Sequence, residues 1–143
     1  MNKKKIVIIN GPNLNLLGKR EPEIYGNISF EDYFKKLQVL FPDADLKYQH
    51  SNVEGELINM IQENGFSAYG IILNAGGYSH TSVAIADAIA AIKAPVVEVH
   101  ISNIYSREEY RHQSLTASKC LGSITGLGLT GYALAIKFFL DKN

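Results

Sequence analysis

Glu98 and His100 are two residues whose types and spacing suggest acid–base chemistry. They are two positions apart in the run Val96–His100, which has the β-branched character of a strand. Because successive side chains of a strand point to opposite faces, the carboxylate and the imidazole share one face. A carboxylate beside an imidazole can orient the ring and raise its pKa. The alternative interpretation is a charged pair that closes the edge of a sheet.

Arg20 and Tyr25 form a second candidate pair, within the long polar loop predicted over residues 11–27. A tyrosine hydroxyl has a reference pKa of ~10, so it can act as a base near neutral pH only with help. A nearby guanidinium would favour the phenolate. The alternative, which the sequence leaves open, is a tyrosine that packs the loop against the body of the protein.

The segment Asn74-Ala75-Gly76-Gly77 is a candidate anion site, because it precedes a predicted helix with Ser79, Thr81 or Ser82 as cap candidates. Backbone N–H groups and the positive end of a helix dipole suit a carboxylate or a phosphate. Two glycines after a strand are also typical of an ordinary turn, so this motif alone is weak.

Short apolar runs alternate with helical patterns along the chain and predict the elements that position these residues. The predicted strands are Lys5–Asn10, Ala44–His50, Tyr69–Leu73, Pro95–His100 and one around Leu121–Thr125. The predicted helices are one that Ser29 opens and Pro42 ends, Glu54–Asn64, Thr81–Ile92, the short Arg107–His112 and a final one that ends near Leu140. Such alternation predicts an α/β fold, a flavodoxin-like three-layer sandwich whose five-stranded parallel sheet has the order 2-1-3-4-5. We expect a single domain over residues 1–143.

Ligands of such sheets bind outside the carboxyl ends of the strands, near the switch in strand order. That rule selects, after strand 1, Asn10, Asn13, Arg20, Glu21 and Tyr25; after strand 3, Asn74, Gly76, Gly77, Tyr78 and His80; and after strand 4, His100, Ser102, Asn103 and Arg111. If the topology is right, the three groups converge on one crevice.

Composition excludes several classes of protein. The 143 residues are 46% hydrophobic and carry 14 basic and 14 acidic side chains, so the net charge is zero. A polyanion-binding protein usually shows a basic face, and a disordered chain is more polar. Cys120 is the one cysteine and cannot form an internal disulfide. With no signal-peptide core or membrane span recognisable, we expect a soluble, cytoplasmic protein that binds neither nucleic acid nor membrane.

Several ligand-binding motifs are missing from the sequence. There is no GxxxxGK[ST] loop, and the GxGxxG-like run Gly126–Gly131 follows the last strand, so it predicts close packing of helix on sheet instead. The neighbours of Cys120 suggest a buried strand start, which disfavours a thiol nucleophile. The alternative to an enzyme is a flavodoxin-like binding module that holds a phosphorylated ligand or a flavin.

Long motifs in register across nearly the whole chain resemble the type II 3-dehydroquinate dehydratases. The first comprises residues 10–18, Arg20-Glu21-Pro22 and Tyr25-Gly26, and the others follow in the family's order: Glu54-Gly55-Glu56, residues 74–83, residues 98–103 and Arg107-Glu108-Glu109. The resemblance implies a trans elimination of water from 3-dehydroquinate, giving 3-dehydroshikimate through an enolate in the shikimate route to aromatic amino acids, with no cofactor and no metal.

The resemblance also implies a role for each catalytic residue. Tyr25 would take the C2 proton, and Arg20 would lower the pKa of Tyr25 and stabilise developing charge. Asn13 would hold the water that stabilises the enolate oxygen. His100 would protonate the leaving C1 hydroxyl, and Glu98 would orient His100.

Binding roles and assembly are implied in the same way. Asn74 and the backbone of Ile101 and Ser102 would take the substrate carboxylate, while His80 and Arg111 would hold ring hydroxyls. Asp87 would reach in from a neighbouring subunit of a homo-dodecamer, a tetramer of trimers. Loop 19–26 would act as a lid.

The sequence departs from the family pattern at a few positions. The usual pattern has Gln at the position of His50 and His at the position of Val53, and an Arg often stands where this chain has Ala86.

Overall fold

A five-stranded parallel sheet organises the computed structural model, which describes residues 2–19, 23 and 27–142. Its order, β2-β1-β3-β4-β5, confirms the predicted flavodoxin-like topology. The strands are β1 Lys4–Asn10, β2 Ala44–His50, β3 Gly70–Asn74, β4 Val96–His100 and β5 Gly122–Thr125, and the helices are α1 Phe30–Leu40, α2 Glu54–Asn64, α3 Val83–Ala91 and α4 Thr130–Asp141. Within these described ranges, none of the helices has the length and apolar character needed to cross a membrane.

Strand β1 lies at the centre of the sheet and is buried on both faces. Ile6 and Ile8 belong to the apolar layer shared with α1 and α4, whereas Val7 and Ile9 belong to the layer shared with α2 and α3. All four side chains are fully buried. Because complete burial of such a side chain stabilises a fold by about 1.5–3 kcal/mol, this strand firmly fixes where its carboxyl end, Asn10, lies.

Helix boundaries differ from the prediction where side chains compete with the backbone. Helix α3 begins at Val83 because a 3-10 helix occupies Gly76–His80 and the Ser82 hydroxyl accepts the Ile85 N–H at 2.9 Å. The short helix predicted over residues 107–112 is reduced to a 3-10 helix, Glu109–Arg111. There the Glu108 carboxylate accepts hydrogen bonds from the side chains of Tyr110 and Arg111. Such local hydrogen bonds compete with helix formation.

The glycine-rich run before α4 anchors the end of β4. Gly126 and Gly128 have positive φ values of 88° and 65°, and their N–H groups donate to the carbonyl oxygens of His100 and Ile101 at 3.1 and 3.0 Å. A side chain at Gly131 would lie 3.2 Å from the Val99 Cγ1 atom. The run therefore provides close packing of helix on sheet, as predicted.

Candidate active site

A small cavity opens at the carboxyl end of the sheet, where segments that follow β1, β3 and β4 meet. Its volume is about 130 Å³, whereas clefts for drug-sized ligands are typically ~300–1,000 Å³. The cavity is therefore suited to a single small molecule.

The structure brings together seven of the eleven predicted site residues as lining of this cavity: Asn13, Asn74, His80, His100, Ile101, Ser102 and Arg111. Glu98 lies behind His100 and contacts it directly. Asp87 is an exposed residue of α3 and is not part of the cavity lining of its own chain. Arg20 and Tyr25 lie outside the described residues.

Glu98 and His100 form a buried ion pair or hydrogen bond at the end of β4. The Glu98 Oε2 and His100 Nε2 atoms are 2.8 Å apart, and the side chains are 1% and 6% exposed. Nε2 faces the carboxylate, so Nδ1 is the nitrogen that remains for a ligand. In the neutral ring Nε2 carries the proton and Nδ1 is bare; in the imidazolium Nδ1 carries a proton that it can donate.

Two hydroxyl groups from the loop after the Glu109–Arg111 turn complete the shell around Glu98. Ser114 donates to Oε2 at 2.7 Å, and Thr116 donates to Oε1. Burial alone would raise the pKa of the Glu98 carboxyl, but the hydrogen bonds from His100, Thr116 and Ser114 and the charge of His100 outweigh it and hold that pKa below its ordinary value. Glu98 is therefore a fixed anion behind the imidazole.

We expect replacement of Thr116 by valine to destabilise the protein through Glu98. A hydrogen bond to a charged group contributes about 1.5–3 kcal/mol, so the free energy of unfolding at neutral pH should fall by about 2 kcal/mol. Since the folded pKa of Glu98 is lowered, its contribution is complete above the unfolded pKa of ~4.3 and is lost as the pH falls through the folded value. As the pH rises through this acid range, the free energy of unfolding should therefore increase less in the variant than in the wild type. Urea unfolding at several pH values measures this difference.

The matched control is Ser118→Ala, which removes an exposed hydroxyl of the same loop that bonds only the Leu115 carbonyl, at 3.5 Å. Its unfolding should follow that of the wild type at every pH. A Thr116→Val variant with wild-type stability and an unchanged acid slope would show that the hydroxyl does not hold Glu98 in its anionic form.

His80 lies beside His100 with its ring held in a defined tautomer. The two ring centroids are 6.0 Å apart and the planes differ by 25°. The His80 Nδ1 atom lies 2.8 Å from the Gln113 carbonyl oxygen. A carbonyl only accepts, so Nδ1 carries the proton, and Nε2 remains to accept from a ligand hydroxyl when the ring is neutral.

Asn13 adopts a left-handed backbone conformation, with φ at 72°. This conformation is uncommon for residues other than glycine, although asparagine tolerates it better than most. The Asn52 side-chain oxygen accepts the Asn13 N–H at 2.9 Å and so supports the turn. Gly76 faces the same segment with φ at 62°, and a side chain there would lie 3.1 Å from the Pro12 carbonyl oxygen. The two loops therefore approach each other closely beside the cavity.

Donor groups dominate the polar lining of the cavity. Arg107, which was not among the predicted site residues, lines the cavity together with Arg111. Its Nη1 atom donates to the Ser102 hydroxyl at 3.3 Å. The Arg111 Nε atom donates to Glu108 at 3.2 Å. Among the described lining residues none is acidic. The cavity is thus electrostatically suited to an anion.

Apolar lining residues were also missed: Leu14, Leu16, Leu17 and Ile104. Nothing in their local sequence distinguishes them from core residues, and Leu14 and Leu17 do join the core cluster next to α1 and α4.

Cys120 is half-buried, and burial together with the charge of Glu98 raises the pKa of its thiol to about 12. A thiolate is therefore disfavoured, in line with the prediction.

In the part of the chain that the structure describes, no group of three or more His, Cys, Asp or Glu side chains is arranged to hold a metal ion.

Comparison with known proteins gives a consistent result. The sequence model of the family described as dehydroquinase class II matches residues 4–140. A protein of an Exiguobacterium species named 3-dehydroquinate dehydratase is 51% identical over 96% of this chain and 94% of its own length. One of the same name from Clostridium botulinum is 53% identical over 96% of this chain and 95% of its own length.

A solved structure shares the fold as well as the sequence. The type II dehydroquinase of Butyrivibrio crossotus superposes with a TM-score of 0.91 at 43% identity, covering 97% of this chain and 99% of that chain. Together with the match over residues 4–140, these relatives establish that the chain belongs to the type II dehydroquinase family.

Proposed function

We propose that this protein is a 3-dehydroquinate dehydratase, a hydro-lyase that converts 3-dehydroquinate to 3-dehydroshikimate on the route to chorismate and the aromatic amino acids. Relatives of that name are about half identical over nearly the full chain. The observation that carries the proposal is the His100 imidazole, backed by the buried anion of Glu98 and facing a small cavity lined by donors.

His100 supplies the proton that leaves with the hydroxyl group. A hydroxide ion is a poor leaving group, so elimination of the C1 hydroxyl needs a proton donor. When His100 is protonated, Nε2 donates to the Glu98 carboxylate and Nδ1 is the nitrogen that donates to the hydroxyl group. The carbon–oxygen bond breaks as the proton arrives, water departs, and the enolate electrons form the new C1–C2 double bond.

Tyr25 is the base of the first step, and the charge of Arg20 would favour its phenolate form. The C2 proton is acidic because it is α to the ketone, and its removal gives an enolate. Among the described lining residues, the titratable side chains are His80, His100, Arg107 and Arg111. Guanidinium groups stay protonated, His100 is assigned to the acid step, and His80 is assigned to a ring hydroxyl. A phenolate from loop 19–26 meets the need for a base and is supported by the family motif.

Substrate recognition uses the donors around the cavity. Asn74 and the backbone of Ile101 and Ser102 bind the carboxylate at the junction of β3 and β4. His80 and Arg111 bind ring hydroxyls, which agrees with the accepting Nε2 of His80 and the donating guanidinium. Asn13 holds a water molecule against the enolate oxygen. The left-handed backbone conformation of Asn13 would orient its side chain for this contact. A side-chain acid and a side-chain base suffice for this elimination, so the proposed mechanism uses no cofactor and no metal.

The proposed assembly is a homo-dodecamer, a tetramer of trimers, built from single catalytic domains of residues 1–143. Asp87 lies on the exposed side of α3, and Val83, one turn earlier, is an apolar side chain left 62% exposed. An exposed carboxylate next to exposed apolar surface suits a subunit contact. Asp87 would then serve the cavity of a neighbouring subunit. We also propose a cytoplasmic location, which a single cysteine in 143 residues suits.

The decisive test is incubation of the purified protein with 3-dehydroquinate. Dehydration creates a conjugated enone, so ultraviolet absorbance should rise with time and with enzyme concentration, and the product should be 3-dehydroshikimate by mass and chromatography. Borohydride added with substrate should leave the enzyme active, because no imine is formed. Absence of the enone signal at every neutral pH would refute the proposal, and a flavin retained through purification would favour a binding module.

A further inference from the structure

Three buried side chains from three separate elements are linked by hydrogen bonds below the cavity. Asn10 ends β1, Asn74 ends β3, and Tyr132 lies in the first turns of α4. The Tyr132 hydroxyl donates to the Asn10 Oδ1 atom at 2.8 Å and accepts from the Asn74 Nδ2 atom at 2.9 Å. Tyr132 and Asn10 are fully buried and Asn74 is 4% exposed, so water does not compete for these bonds.

The direction of this chain of hydrogen bonds is set by one backbone group. The Gly76 N–H donates to the Asn74 side chain at 3.1 Å, so the oxygen Oδ1 must face Gly76. The nitrogen Nδ2 then faces Tyr132, whose oxygen accepts from it. The Tyr132 proton is left to donate elsewhere, and Asn10 provides the acceptor. Every bond therefore follows from the one before, and the Asn74 amide has a single orientation.

This orientation matters because Asn74 lines the cavity. Its Nδ2 group carries two hydrogens, and Tyr132 takes one. The second remains for a ligand oxygen. If the amide rotated by 180°, it would present an oxygen to the ligand instead, and that oxygen would repel a carboxylate.

We propose that Tyr132 is a positioning residue that fixes the Asn74 amide with its donor toward the substrate carboxylate. The proposal rests on the proposed function, in which Asn74 binds that carboxylate. The tyrosine ring is itself held in place, since it lies edge-on to Phe30 with centroids 4.9 Å apart. The Tyr132 hydroxyl thus favours an anionic ligand at the end of β3 through the orientation of Asn74, without itself contacting the ligand.

The test compares Tyr132→Phe with the wild type and begins with turnover of 3-dehydroquinate. The ring and its packing remain, but the Asn74 amide loses one of the two hydrogen bonds that fix its orientation, and only the Gly76 N–H at 3.1 Å still opposes its rotation. We expect KM to rise about tenfold, as for loss of a hydrogen bond to a charged group, while kcat changes less than threefold. The second readout is the affinity for two competitive ligands that differ only in carrying a carboxylate or a carboxamide. The acid should bind about tenfold more weakly to the variant, and the amide equally well.

Tyr33→Phe is the matched control, because the Tyr33 hydroxyl donates to the Leu129 carbonyl at 2.8 Å and its ring also contacts Phe30. It removes a partly buried hydroxyl that bonds the segment just before the same helix, yet makes no contact with Asn74. If Tyr132→Phe acts only by destabilising the packing of α4, Tyr33→Phe should have the same effect. We expect Tyr33→Phe to keep the wild-type KM instead. In an Asn74→Ala background, Tyr132→Phe should raise KM by less than twofold more.

Asn10→Ala provides a second variant if Tyr132→Phe does not fold. It removes the acceptor of the phenol proton, so the hydroxyl can turn that proton toward Asn74; KM should rise a few-fold, with the same preference for the carboxamide. If the wild type is active but Tyr132→Phe lowers the affinity for both ligands equally, or for neither, the role of Tyr132 is refuted and the proposed function stands. An inactive wild type would overturn both.

Discussion

Replacement of His100 by alanine should lower kcat by about 10³-fold while the affinity for the product changes little. General acid catalysis by a positioned side chain contributes typically 10²–10⁴-fold. His100 lines the cavity, and its Nε2 atom is bonded to Glu98, which leaves Nδ1 for the substrate. Without His100, the C1 hydroxyl must leave as hydroxide or take its proton from water. The measurement is steady-state dehydration of 3-dehydroquinate together with product binding.

Exchange of the C2 hydrogen with solvent separates the two proton transfers. In the His100→Ala variant the base is intact, so enolate still forms and returns to the ketone. Substrate recovered from deuterated buffer should therefore carry deuterium at C2 although almost none is dehydrated. If exchange is lost to the same extent as dehydration, His100 takes part in removing the C2 proton and is not solely the acid.

His50→Gln is the control for this experiment. His50 ends the edge strand β2, and Gln is the residue that the family resemblance leads us to expect at this position. Its effect on kcat should stay within about twofold, because His50 does not belong to the described lining of the cavity. A large loss in this variant would mean that removal of any histidine near the sheet edge disturbs catalysis.

The sheet could be predicted from sequence because its signals are local. The predicted bounds of β2 and α2 are those of the structure, since alternation and helical spacing are read within a few residues. Glu98 and His100 were likewise found by alternation along one strand, and the predicted order of the strands brought the segments after β1, β3 and β4 to one cavity.

The parts of the site that sequence reasoning missed depend on contacts between distant residues. Tyr132 is 58 positions from Asn74, and Thr116 is 18 positions from Glu98. A tyrosine in an apolar helix is typical of core, and a threonine in a loop is typical of surface. Only the folded chain shows that each completes the hydrogen bonding of a buried polar group.

Replacement of Tyr25 by phenylalanine should have the largest effect, a loss in kcat of about 10⁴-fold, the upper end of what acid–base catalysis contributes. The phenol oxygen is the proposed acceptor of the C2 proton, and phenylalanine removes that oxygen but keeps the ring. Binding of product should persist, because the donors around the cavity do not change. The C2 hydrogen should no longer exchange with solvent, in contrast to the His100→Ala variant.

His80 is the competing candidate for the base that removes the C2 proton, and its hydrogen bonding allows the two candidates to be distinguished. Its Nδ1 atom faces the Gln113 carbonyl, so in the neutral ring Nε2 has the free lone pair that a base needs. In the proposed mechanism His80 binds a ring hydroxyl, so His80→Gln should raise KM while C2 exchange continues. Tyr105→Phe, a change at a tyrosine that is 65% exposed, is the matched control for loss of a phenol and should behave as wild type. Exchange that survives in Tyr25→Phe and disappears in His80→Gln would reverse the assignment, since the same cavity would then use the neighbouring imidazole to form the enolate.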